Sequence, residues 1–122
     1  MTQQIINVTP HAIRIRVNAD NKTAQPDPTD IVLQPSGTIA RVSVQSVQSG
    51  DVNGLPIMSS VFGDPVDLPD PQDDTIFVGS MPLAQKAAAM GRTDVVSPNT
   101  APKQDIRDDA GRTFAVFGFQ RF

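Results

Sequence analysis

The chain has 122 residues, enough for one domain with one modest core. It carries no cysteine and a single histidine, which excludes a disulfide framework, a thiolate metal site and a histidine-based zinc site. A net charge of −3 disfavours general affinity for nucleic acid polymers. The charges are unevenly spread, though. Five of the 13 acids fall between Asp64 and Asp74, and six of the ten basic residues (Lys86, Arg92, Lys103, Arg107, Arg112, Arg121) lie in the last third. Every acid is Asp, a residue of turns and caps, and there are 11 prolines. Both features argue for strands and loops rather than helices.

Met1 leads into a strand-like segment with no basic leader and no long apolar run. A signal peptide, a membrane span and a membrane partner are therefore not expected, and the expected location is the cytoplasm. Ile5–Val8 is a short apolar segment. Ala12–Asn18 alternates, with Ile13, Ile15 and Val17 on one face and Arg14 and Arg16 on the other, a half-buried strand whose arginines are expected in solvent. Asp20–Asp30 reads as a mobile hairpin loop. Ile31–Leu33 resumes the sheet. Ile39–Val47 alternates again, with Ala40, Val42 and Val44 inward, and Asn53-Gly54 is a strong hairpin signal joining it to Leu55–Phe62. Gly63–Asp74, rich in Pro and Asp, suits an ordered solvated connection; its acidic spacing matches no EF-hand, and no metal is expected there.

Thr75–Pro98 is the centre of the reading: a buried strand (Thr75–Val78), a turn at Gly79-Ser80, one helix and a short strand. Ser80 or Met81 would cap the helix, with Pro82 in its first turn. Leu83, Ala84, Ala87, Ala88 and Met90 form the apolar stripe, and Gly91 ends it. No acid occupies the first turn, so the positive end of the helix dipole is an expected anion site. The chain closes with a hairpin turning at Gly111. Its last strand, Thr113–Phe119, is apolar on both faces and is expected to meet another subunit in part. The expected class is α+β, mainly β: a small antiparallel sheet or partly open barrel with one short helix, in one domain.

No nucleophile elbow, serine–lysine pair or phosphate loop is present. Binding is thus favoured over catalysis, with no catalytic residue assigned and no cofactor. The expected ligand-binding set is Ser80 at the helix start, Arg92, Arg107 and Arg112 for phosphates, His11 as a further donor, and Phe77 as a support for a base ring. Pairing of Arg92 with Asp94, and of Arg107 with Asp105 or Asp108, is the competing structural account.

The segment Ile6–Ile15, INVTPHAIRI, resembles a family of small proteins of tailed bacteriophages and prophages that open with I-N-(L/V)-T-P-H. The similarity continues through Pro35–Thr38 with Ala40–Val42, Gly54–Pro56, Thr75–Ser80, Arg92–Pro98, Arg107-Asp108 and Gly111-Arg112, in short blocks. Met81-Pro82 departs from the small and aliphatic residues expected there. The resemblance implies a phage accessory protein in the bacterial host. By analogy of class it implies one that counters immunity by capturing a nucleotide signal, as the Thoeris and CBASS sponges do. The expected function is sequestration, without turnover, of a small anionic nucleotide of the cyclic ADP-ribose type by a homo-oligomer. The alternatives are an enzyme opening such a nucleotide with His11 as acid or base, and a protein-binding inhibitor or minor virion component using the Phe114–Phe122 face.

Overall fold

The computed structural model describes residues 3–122. The fold is α+β and mainly β, with one short helix, and its strands form three separate sheets without closing a barrel. The first sheet orders β1 (Gln4–Asn7), β6 (Thr75–Val78), β7 (Val95–Pro98) and β10 (Phe119–Gln120). It is mainly parallel where an antiparallel sheet was expected, because α1 (Met81–Ala89) carries the chain from β6 over to a parallel β7. The second sheet orders β3 (Ile31–Leu33), β2 (Ile13–Ile15), β9 (Thr113–Val116) and β8 (Asp105–Arg107). The third is a ribbon of two 12-residue strands, β4 (Arg41–Val52) and β5 (Leu55–Val66).

The core lies between α1 and the first sheet. Leu83, Ala84 and Ala87 from the helix meet Val8, Phe77 and Val95, with Ala40 and partly buried Ile6, Val42 and Leu68 around them. Burying Phe77 and Leu83 contributes about 2–3 kcal/mol each. Small residues on the helix let it lie close to the strands, and Gly79 serves the same end: a Cβ there would stand 2.4 Å from Leu83 Cδ2. The stripe is shorter than the sequence suggested. Met90 is the C-cap and is exposed. The Ile39–Val47 alternation also changes environment part-way, since Ala40 is buried and Val42 packs on the core while Val44 is 59% exposed. The ribbon leaves the body of the protein at that point.

The I-N-V-T-P-H segment ends β1 at Asn7 and then turns. Asn7, 2% exposed, donates through Nδ2 to the carbonyls of His11 (2.8 Å) and Leu33 (3.0 Å). Its Oδ1 accepts from the Thr9 amide and hydroxyl. The same turn, in which an amide or carboxylate accepts from both N–H and O–H of a threonine two residues on, recurs at Asn21–Thr23 and Asp27–Thr29. Asn7-Val8-Thr9 and Asn21-Lys22-Thr23, the two N-x-T sequences of the chain, are thus held by hydrogen bonds between their own asparagine and threonine.

Arg16 departs most from expectation. It is buried, not solvated, and all five guanidinium N–H groups are used. Nε donates to Asp30 Oδ1 at 2.7 Å and Nη2 to Asp30 Oδ2 at 3.4 Å. Nη1 donates to the carbonyls of Asn21 (2.6 Å) and Thr23 (3.1 Å), and Nη2 also to that of Gln25 (2.7 Å). Asp30 takes two more bonds, from Arg14 Nη1 and the Asp27 amide. Asp20–Asp30 is thus tied down along its length, contrary to the mobile loop expected. A buried charge stripped of its partner is among the costliest defects a fold can carry. Arg16→Met should lower the thermal unfolding midpoint by about 10 °C and open the 18–30 loop to proteolysis. Arg14→Met, with a side chain 29% exposed, should cost much less; equal losses would contradict the assignment.

Candidate functional site

The six expected binding residues do not assemble at the helix start. Ser80 is the N-cap, and its Oγ accepts from the Leu83 amide at 3.3 Å, so the protein's own hydroxyl serves that end of the helix. Phe77 is wholly buried between strand and helix and has no face for a ligand. Arg92, beyond the opposite end of α1, grips Asp94 with two parallel bonds of 2.8 and 2.9 Å and donates to the Pro69 carbonyl at 3.0 Å. Asp94 raises the Arg92 pKa, and Arg92 in turn holds the Asp94 carboxyl below its ordinary range. Arg92 therefore fastens the 67–74 connection to the helix. That is the structural pairing weighed in the sequence, and a phosphate at Arg92 would have to compete with Asp94 and the Pro69 carbonyl for the same donors. His11 is exposed on the turn after β1, and its backbone rather than its imidazole makes the turn's hydrogen bonds. Arg112 is exposed, 3.7 Å from Asp108. Only Arg107 among the six lines any of three hollows in the surface.

That hollow, of about 340 Å³, lies where the 18–30 loop crosses the second sheet. Its walls are Lys22, Lys103, Asp105, Ile106, Arg107 and Phe117. Lys22 Nζ stands 5.3 Å from the centre of the Phe117 ring, within cation–π range. Arg107 pairs with Asp105 (3.2 Å) and donates to the Gly111 carbonyl (3.1 Å), which aims its guanidinium along the β8–β9 hairpin. Thr113 Oγ1 also donates to Asp105. Lys103 sits at φ +68° in a turn closed by the Gln104 amide on the Ala101 carbonyl. Three cationic residues and one carboxylate that is already engaged thus line the hollow with an aromatic ring.

The position of Lys22 follows from Arg16. The arginine binds the carbonyls of Asn21 and Thr23, the residues on either side of Lys22, and so fixes the backbone from which the ammonium reaches Phe117. The sequence offered a partial signal, since Lys103 and Arg107 belong to the late basic cluster. Nothing in it indicated that a lysine from an early loop would join them.

Among the described residues, no group of three or more His, Cys, Asp or Glu side chains could hold a metal ion, and no helix is long and apolar enough to cross a membrane. No protein-family model, curated protein or solved structure matches the chain.

The loop anchor carries a pH signature. Hydrogen bonds from Asn21 and Thr29 hold Asp27 far below the ordinary carboxylate range, and Arg16 lowers Asp30. Depressed carboxyls stabilise the fold fully above their unfolded value of about 3.9 and lose that contribution as pH falls through the lower folded value. Thermal midpoints measured from pH 8 to 2 should owe no slope to these two groups above about pH 5 and should fall below about pH 4. Asp30→Asn should shallow the acid limb. An unchanged limb in that variant would contradict the pairing.

Proposed function

We propose that the protein binds a small anionic nucleotide in the hollow between Lys22, Lys103, Arg107 and Phe117, and holds it without turnover. The observation that carries the reading is that Lys22, from the 18–30 loop, and Lys103 and Arg107, from the chain around β8, line one hollow with Phe117, over whose ring the Lys22 ammonium stands. Ammonium and guanidinium groups suit phosphate oxygens, and a phenyl face suits a base. A volume of about 340 Å³ lies at the small end of ligand sites. Lys103 supports the reading in another way. A side-chain-bearing residue in the left-handed region costs about 1 kcal/mol, a strain that tends to persist where a side chain has work to do.

Capture without cleavage accords with the lining, which holds cations and an engaged carboxylate, while His11 lies on a different turn. The phage resemblance makes an immune signal of the cyclic ADP-ribose type the nucleotide of choice, and sequestration in the host cytoplasm the role. This reading moves the site away from the helix start, which Ser80 caps.

A thermal-shift panel of cyclic nucleotides and ADP-ribose isomers tests it. At a hundredfold excess over Kd, binding stabilises by about 2.7 kcal/mol, which for a domain this size is a shift of roughly 10 °C or more. Lys22→Ala and Phe117→Ala should abolish the shift, Ser80→Ala should retain it, and heat denaturation should return the nucleotide intact. No stabilisation by any nucleotide would overturn the proposal. Recovery of a cleaved product that is lost in His11→Ala would favour the enzyme instead.

A further inference from the structure

We propose that the β4–β5 ribbon is where two copies of this chain join, face to face. The pairing register sorts its side chains. Gln45 lies opposite Val61, Val47 opposite Ser59, Gly50 opposite Ile57 and Val52 opposite Leu55. Cross-strand partners share a face, and so do residues two apart along β5. Val47, Val52, Leu55, Ile57 and Val61 therefore form one continuous aliphatic stripe, each 38% to 69% exposed. The opposite face pairs Val44 with Phe62 near the body, then Ser46 with Ser60, Gln48 with Met58 and Asp51 with Pro56 toward the tip. That face continues the line of Val42, which packs on the core.

Three observations point to a second copy as the occupant. The first is charge. Between Val42 and Gly63 the only ionisable residue is Asp51, on the opposite face. A two-fold contact sets the same patch against itself, so a stripe carrying charge of one sign would face that sign again; an uncharged aliphatic stripe meets no such penalty. The second is area. The stripe runs from the Gln45–Val61 pair to the Val52–Leu55 pair, about 25 Å long and about 10 Å wide, so it offers roughly 250 Å² of flat face per copy, a small contact that closes only if the whole stripe is covered. The third is stability. The helix packs against β4 and β5, yet a two-stranded ribbon whose outer residues are exposed on both faces is marginal by itself in water. Stacked on its duplicate, it becomes a four-stranded sandwich with a dry centre. This contact replaces the Phe114–Phe122 face expected from the sequence. It does not depend on the nucleotide reading, because the hollow is lined by none of the ribbon's residues.

The test uses neighbouring serines that point to opposite faces. The chain has no cysteine, so Ser59→Cys and Ser60→Cys each carry a single thiol. With a short bismaleimide, Ser59→Cys should give a covalent dimer in high yield and Ser60→Cys little. Light scattering on a sizing column should give the wild-type chain a mass of two copies or an even multiple. Val47→Lys/Ile57→Lys should reduce it to one copy while the circular dichroism of the body is kept. A single-copy mass for the wild type at tens of micromolar would overturn the proposal, as would equal cross-linking at both positions.

Discussion

One buried guanidinium organises the 18–30 loop and the edge of the second sheet it covers. Arg16 leaves β2 pointing inward, where solvent cannot satisfy it, and the chain wraps a loop around it until each N–H has an oxygen. Burying such a charge is costly, so the arrangement persists only with every partner present. What it achieves is order in a mostly polar segment that has no large aliphatic or aromatic side chain to bury. That order is set by carbonyls and so tolerates variety in side chains. Lys22 projects freely from the clamped backbone and meets a ring from the far end of the chain.

The two main sheets divide the labour. The first, with α1, holds the apolar core and fastens its connections with Arg92 on Asp94 and Pro69. The second carries the charge clusters. Phe117 and Gly118 stand at the seam, where the chain leaves β9 in one sheet for β10 in the other, and this is why an aromatic ring is left half-buried at an edge. The ribbon is a third, separable part with its own surface chemistry. The hollow beside Phe117 and the ribbon share no lining residue, so each can be altered without the other.

Local chemistry was legible wherever it determined structure alone. The Asn53-Gly54 turn has the two positive φ angles its sequence demands, Gly111 is left-handed, and Ser80 caps α1. Alternation found β2 and β4, although β4 runs on to Val52, the apolar runs at Ile31 and Thr113 are β3 and β9, and the strand–helix–strand unit from Thr75 is present. What escaped was whatever depends on a distant partner. Alternation assigns Arg16 to the solvent face, because periodicity counts faces and not what covers them. Val44 obeys its alternation yet lies outside the body, since a strand's period does not state where the core stops. Arg92 reads equally well as a phosphate ligand or as the partner of Asp94, two residues away; only the geometry decides between them. Of the late arginines, Arg107 lines the hollow, Arg92 is held by Asp94, and Arg112 is exposed beside Asp108.

The account stands most directly on Phe117 as the floor of an anion site. The six phenylalanines can be followed separately by NMR with 13C-labelled rings while ADP-ribose and its cyclic isomers are added to the intact protein. The Phe117 ring should move progressively and saturate with one of them, while the core ring of Phe77 keeps its position. A Phe117 signal that stays fixed through millimolar nucleotide, or binding reported only by rings elsewhere, would contradict the account.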